Sequence, residues 1–286
     1  MARPIRLEFP GAIYHVTTRG NGGDDIFLDD QDRLQFLTAL GEVVSRAGWI
    51  VHAYVLMDNH YHLLIETPKD NLSLGMRQLN GVYTQRFNII HGSGGRVFQG
   101  RFKAILVERD GFLLELCRYL VLNPLRLKAV KNINRYRWSS YRATAGEIQA
   151  PAWLNTDWVL SHFGRSSSVA RRKYAEFIAA GIKLPSPLSK VKAQILLGSA
   201  AFVKKMKQRL LTSVDIKKSV RDKKQLKRPS LSSLFSVKVR KEKSLRNEAI
   251  KRAYQEYAYT MAEIADAAQI HFSTVSKVIK MGEQSA

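Results

Sequence analysis

Cysteine is almost missing from this chain. The one thiol, Cys117, excludes an internal disulfide and any zinc site built from several cysteines. Long apolar runs are missing as well. No stretch of about 18 apolar residues occurs, so nothing reads as a membrane-spanning helix, and Met1–Pro10 lacks the apolar core of a signal peptide. A reducing, cytoplasmic setting without a membrane partner is the expectation. Acidic residues are scarce: 24 Asp and Glu stand against 46 Lys and Arg in 286 residues, a formal net charge of +22.

What is present is ordinary core-forming material, 45% hydrophobic and 24% charged, so the chain is not a disordered basic tail. The charge therefore calls for a polyanionic partner. Nucleic acid leads, because phosphate neutralisation by Lys and Arg releases counterions; an anionic membrane surface comes second. Between Pro187 and Ala253 there are 20 Lys or Arg against 4 Asp or Glu, so +16 of the +22 lies there. This contrast divides the chain into a near-neutral domain over 1–145, a basic connector and linker over 146–243, and a small helical module over 244–286.

The N-terminal part alternates strand and helix patterns. Ala12–Arg19 is rich in β-branched and aromatic residues and reads as a strand. Asp29 to Gly48 has apolar residues at helical spacing, acidic residues in its first turn and glycine as its stop. Trp49–Met57 and His60–Thr67 read as strands joined at Asp58-Asn59. Ser73–His91 reads as a helix with Ser73 as N-cap, broken by Gly92-Ser93-Gly94-Gly95. Phe102–Glu108 is a fourth strand, and a helix from Asp110 runs to about Asn123, where Pro124 ends it. The order β-α-β-β-α-β-α predicts an α+β fold, a four-stranded antiparallel sheet with helices on one face in the ferredoxin-like arrangement. Beyond it, Arg135–Ser140 reads as an aromatic turn, Val169–Ala180 and Ala200–Leu211 as basic amphipathic helices, and Pro229–Lys243 as a linker.

His60 and His62 form the sharpest pattern. Residues two apart on a strand face the same side, so His60-Tyr61-His62 presents two imidazoles about 7 Å apart, with Tyr61 turned away. Two neutral imidazoles are natural ligands of a divalent metal, and a third group must come from elsewhere. Tyr119 and Asn123, four apart on the later helix, share a face that could bring a tyrosine hydroxyl and an amide oxygen to such a metal. Tyrosine is a nucleophile type, and a metal-polarised phosphate would complete the chemistry. The alternative is that Tyr119 packs in the core and Asn123 caps the helix. Tyr83 is a rival nucleophile whose spacing with Leu79, Val82 and Phe87 suggests packing. His15 reads as a core or substrate-orienting group, and Glu66 shares the histidine face. Arg96, Arg101 and Lys103 flank the site and are positioned to grip phosphates.

The runs FPGAIYHVTTRGN, YVLMDNHYHLLIETP, LNGVYTQRFN, FQGRFKAILVE and RYLVLNPLR, over roughly residues 3–145, resemble the single-tyrosine HUH transposases. The branch they are most similar to is that of the REP-associated tyrosine transposases. The resemblance implies Tyr119 as nucleophile and Mg²⁺ or Mn²⁺ held by His60, His62 and Asn123. Better-known members carry glutamine where Asn123 stands, one methylene longer. It further implies cleavage of single-stranded or hairpin DNA through a 5′-phosphotyrosine link with release of a 3′-OH, in a bacterial, nucleoid-associated setting. Relatives include monomers and homodimers. A catalytically silent DNA-binding regulator and a plasmid or phage replication nickase are the competing readings.

At the C-terminus, Ala265, Ile270, Val275 and Val278 have the spacing of a helix-turn-helix core. A second helix from about Phe272 would turn Ser273, Thr274, Ser276 and Lys277 towards a duplex major groove. The stretch resembles the duplex-binding C-terminal domain of bacterial replication initiators. Gln269 stands where glycine is common, at a cost of about 1 kcal/mol if the backbone there is left-handed.

Overall fold

The computed structural model describes residues 7–212, 229–257 and 259–283. The expected basic connector therefore lies partly, over 213–228, outside the described residues, as does the start of the chain through residue 6. The fold divides into two compact units, one ending at Phe202 and the other beginning at Val203.

In the first unit, β1 (Ala12–Arg19), β2 (Ile50–Met57), β3 (His60–Thr67), β4 (Lys103–Val107) and β5 (Leu196–Leu197) form one sheet in the order β2-β3-β1-β4-β5. The first four strands pair antiparallel in the expected ferredoxin-like order. The fifth corrects the four-stranded expectation. It joins the edge of β4 in parallel, and two residues are too few to show any periodicity in a sequence.

Two helices, α1 (Asp30–Ala47) and α2 (Leu72–Ile90), pack against each other, and α1 meets the sheet face that carries Tyr61. There Phe36 lies 4.5 Å from the Tyr61 ring and 5.3 Å from the Tyr83 ring, centroid to centroid. Asp29 opens α1 by accepting from the Asp32 amide at 2.8 Å, and Gly48 closes it at φ 69°. Ser73 is not the cap of α2. Asn71 holds that position, with its side chain spent on the Ala47 carbonyl and the Trp49 indole, while Ser73 binds Glu8.

The third helix, α3 (Arg109–Val121), lies on the opposite face, which corrects the one-sided expectation. Leu113, Leu116, Cys117, Leu120 and Val121 follow the i, i+3, i+4, i+7, i+8 pattern and are fully buried. They pack with Ile13, Ala53, Val55, Met57 and Leu64 of the sheet. Each buried leucine contributes about 1.5–3 kcal/mol. Pro124 does not end the helical path. It sits in the first turn of a further short helix, α4 (Asn123–Arg126), where a missing N–H costs nothing.

Residues 146–202 pack within this unit: Val159, Tyr174, Ile178 and Leu197 share the core of α3. The expected turn at Arg135–Ser140 covers the free edge of β2, with Leu56 N donating to Trp138 O at 2.8 Å and Ser140 N to Tyr54 O at 3.0 Å. Such cover prevents edge-to-edge association.

In the second unit, the expected linker over Pro229–Lys243 contains helical turns at Leu231–Leu234 and Val237–Lys241, capped by Ser230 and Ser236. The helices Lys243–Gln255, Met261–Ala268 and Phe272–Glu283 follow, around a core of Phe235, Ile250, Ile264, Ala265, Val275 and Ile279. Thr260 and Glu263 form a capping box at Met261–Ala268. Among the described residues, no helix is long and apolar enough to cross a membrane.

Candidate active site

The β-sheet register sets out the site. On the face covered by α3, His60 of β3 stands opposite Arg19 of β1, and His62 stands opposite Thr17. Thr17 is in turn opposite Lys103 of β4. The next row, Leu64, His15 and Ile105, leads into the core. The His60 and His62 rings converge to 5.1 Å between centroids at 86°, closer than the spacing of their backbone positions.

Each imidazole is held by its Nδ1. His60 Nδ1 lies 2.7 Å from Asn59 Oδ1, an acceptor only, while Asn59 Nδ2 donates to Gly23 O at 3.2 Å. This assigns the proton of neutral His60 to Nδ1 and leaves an unprotonated Nε2. His62 Nδ1 lies 2.9 Å from His15 Nε2 and 3.1 Å from Thr17 Oγ1. With His15 protonated on Nδ1, its Nε2 and the Thr17 hydroxyl both accept from His62 Nδ1. No described residue hydrogen-bonds to Nε2 of either His60 or His62.

Burial, followed by the neighbouring histidines, holds His62 well below the ordinary imidazole value. Burial alone pushes His15 down to about 4. His60 is also lowered, first by burial and then by the Arg19 cation. All three rings are neutral at pH 7, the state that can ligate a metal.

Tyr119 is half-buried on the core beneath α3, with the Arg126 guanidinium 5.3 Å from its ring. Asn123 is 6% exposed, and its Nδ2 points back to Tyr119 O at 3.5 Å, leaving Oδ1 as the free donor atom. Among the described residues, no hydrogen bond joins Tyr119 or Asn123 to either histidine. One contact between the two elements is the attachment of α3 to β3 at its first residue. Arg109, at the start of α3, is bonded to Glu66 of β3. Ten residues of helix from there to Tyr119 rise about 15 Å, and four residues of strand from Glu66 to His62 span about 14 Å.

Two imidazole nitrogens and an amide oxygen suit a divalent ion of the Mg²⁺ or Mn²⁺ type, and two nitrogens favour Mn²⁺. The described residues contain no cluster of three His, Cys, Asp or Glu side chains able to hold a metal, so a third ligand beside the two imidazoles would be of another kind. Glu66 does not take that place, because His52 at 3.1 Å and Arg109 occupy its two oxygens. Tyr83 is buried and donates to Ile26 O, and burial raises its pKa, which fits packing rather than nucleophilic attack.

Lys103 is exposed beside the His62 row. Arg96 and Arg101 are exposed on the loop before β4, which is tied to the end of β1 by Asn21 N to Val97 O at 2.9 Å and Gln99 N to Arg19 O at 2.8 Å. In the second unit Ser273, Thr274 and Lys277 are exposed and Ser276 is half-buried. Sequence reasoning missed Asn59, Thr17 and Arg19. Alternation along β1 does put His15, Thr17 and Arg19 on one face, but only the pairing register brings that face to the histidines.

Residues 9–121 match the family model described as Transposase IS200 like, so the family resemblance holds over that segment, which includes His60, His62 and Tyr119. No curated protein matches the chain. Among solved structures, a REP-associated tyrosine transposase bound to a REP hairpin is 17% identical and aligns at TM-score 0.45, over 55% of this chain and 91% of that one. A Deinococcus radiodurans R1 protein assigned as a transposase is 16% identical at TM-score 0.30, over 42% of this chain and 93% of its own.

Proposed function

We propose that the protein cuts and rejoins single-stranded DNA, with DNA hairpins as substrate and Tyr119 as nucleophile. His60 and His62, through Nε2, and Asn123, through Oδ1, would hold Mg²⁺ or Mn²⁺. The observation that carries this reading is the free Nε2 on each of two converging, neutral imidazoles, on the sheet face that α3 covers. When bound, the ion would supply Lewis acidity at the scissile phosphate.

The residues do the rest. Asn59, Thr17 and His15 hold the two imidazoles in place through Nδ1. The Tyr119 oxygen forms a bond to phosphorus as the bond from phosphorus to O3′ breaks. The phenolic proton is balanced by the one the departing O3′ takes up, leaving a 5′-phosphotyrosine and a 3′-OH. A second 3′-OH reverses the step and rejoins strands without external energy. Lys103, Arg96 and Arg101 hold the flanking backbone by charge. In the second unit, Ser273, Thr274, Ser276 and Lys277 on the helix Phe272–Glu283 face duplex DNA beside the hairpin.

The test is a denaturing gel of hairpin DNA incubated with Mn²⁺ or Mg²⁺. Wild type gives a covalent protein–DNA band that Tyr119→Phe and His62→Ala both lose, while hairpin binding persists in Tyr119→Phe. Binding without that band in wild type, with either metal, would replace the enzyme by a DNA-binding regulator.

A further inference from the structure

Within the motif TTRGN at the end of β1, Arg19 has no part in the chemistry so far, although it stands in the row of His60. We propose that Arg19 is a phosphate-binding residue of the active site, taking the non-bridging oxygens of the scissile phosphodiester. The proposal rests on the transposase reading above and adds a contact to it.

Position comes first. Arg19 is directly opposite His60 across the β1–β3 ladder, and alternation puts it on the same face as His15 and Thr17. Cβ atoms of directly opposed residues lie about 5 Å apart, so the guanidinium stem rises beside the imidazole. Thr17 and Lys103 extend the same polar end of the sheet across β4.

The side chain is also unspent. Other arginines of this unit meet carboxylates: Arg33 binds Asp58, Arg86 binds Glu42, Arg109 binds Glu66 and Arg118 binds Glu115. Arg19 is exposed and has no ion pair or side-chain hydrogen bond among the described residues. A full positive charge thus stands beside two neutral rings.

Its base is fixed. Arg19 O accepts from Gln99 N at 2.8 Å, and Gly20 N donates to Asn59 O at 2.9 Å, so the strand end is tied to the residue that orients His60. One guanidinium nitrogen lies 3.6 Å from where a Cβ on Gly23 would stand, and Gly23 has φ 98°, a conformation suited to glycine. The loop leaves that space open to the arginine.

A guanidinium fork matches two phosphate oxygens. Charge on those oxygens grows as the fifth bond to phosphorus forms, so the contact strengthens in the transition state and acts on the chemical step.

The experiment measures single-turnover formation of the Tyr119–DNA adduct at saturating hairpin and Mn²⁺. Arg19→Gln is expected to slow it about a hundredfold, the usual effect of losing one transition-state donor. Arg19→Lys recovers part of the rate, because it keeps the charge without the fork. Melting temperature and Mn²⁺ binding, followed by electron paramagnetic resonance, stay at wild-type values. A scissile methylphosphonate, whose methyl group replaces one charged oxygen, separates contact from fold. On it, wild type and Arg19→Gln react at similar rates.

An undiminished gap on the methylphosphonate, or a full rate for Arg19→Gln on ordinary DNA, would overturn the proposal and leave the transposase reading standing. Absence of any adduct from wild type would remove both.

Discussion

His15 Nε2 lies 2.9 Å from His62 Nδ1, and the two rings stack 9° from parallel with centroids 5.1 Å apart. One buried imidazole thus orients another through the nitrogen that would not bind metal. His15→Phe keeps the stacked ring and removes the hydrogen bond. Thr17 Oγ1 remains 3.1 Å from His62 Nδ1, so the loss of Mn²⁺ affinity falls near the lower end of the usual range, about tenfold. A Mn²⁺ titration followed by electron paramagnetic resonance checks it. Unchanged affinity would make His15 a packing residue alone.

Glu66 ties the start of α3 to the sheet. Its carboxyl is held below the ordinary range chiefly by the His52 hydrogen bond, with Arg109 adding to it against the opposing effect of burial. A carboxylate depressed in the folded state stabilises the fold fully above its unfolded pKa, and that stability is lost as pH falls through the folded value. Glu66→Gln should lower stability by about 2 kcal/mol at pH 7, as expected for hydrogen bonds to a charged group. The difference from wild type should shrink below about pH 4. Thermal melts at pH 7, 5 and 3.5 measure it; a constant difference would show that the charge is not what matters.

The site was half legible in the sequence, for a physical reason. That His60 shares a face with His62, and Tyr119 with Asn123, follows from local spacing, two along a strand and four along a helix, and local spacing is written in the chain. Asn59, adjacent to His60, was within reach of the same reasoning, since an amide oxygen beside an imidazole is an obvious partner. Thr17 and Arg19 depend on the register of β1 against β3, which the distant packing of both sheet faces decides. Glu66 shows the hazard in reverse: it shares the histidine face, yet His52 and Arg109 occupy it at the far end of the strand. In the fold, strong periodicity gave α1, α2 and the first four strands. β5 is two residues long, and its pairing comes only from the chain's return past β4. The turns at Leu231–Leu234 and Val237–Lys241 were hidden by a basic, serine-rich composition that also suits a linker.

Two glycines in α2 should respond with opposite sign. Gly81 has open space where a Cβ would stand, so Gly81→Ala should gain the ordinary helix preference, about 0.5–1 kcal/mol. Gly75 is pressed against Trp49, and a Cβ there would fall 2.1 Å from the indole Cζ2. Trp49 is 4% exposed and anchored through Nε1 to Asn71 at 2.9 Å, so the ring has little freedom to move aside. Gly75→Ala should therefore cost about 1–3 kcal/mol despite the better helix former. Chemical denaturation of the pair decides it, and equal shifts would mean that Trp49 yields.

Gln269 follows the helix Met261–Ala268 at φ 55° and ψ 47°, a left-handed residue with a side chain. Its amide hydrogen bonds to Asp266 O at 3.1 Å, and Ile270 N to Ala265 O at 3.1 Å, so the backbone closes the helix through that conformation. Any L-residue other than glycine is strained there by roughly 1–2 kcal/mol, through contact of Cβ with the following carbonyl. Gln269→Gly relieves that strain but gives up some of the gain to the greater freedom of glycine in the unfolded chain. The net expectation is a stabilisation of about 0.5–1 kcal/mol, confined to the transition of the second unit, to which Gln269 belongs. Gln269→Ala, which keeps the Cβ, should show none of it. Calorimetry on the full chain separates the cases, and a gain for alanine equal to that for glycine would place the effect in the glutamine side chain instead of the backbone.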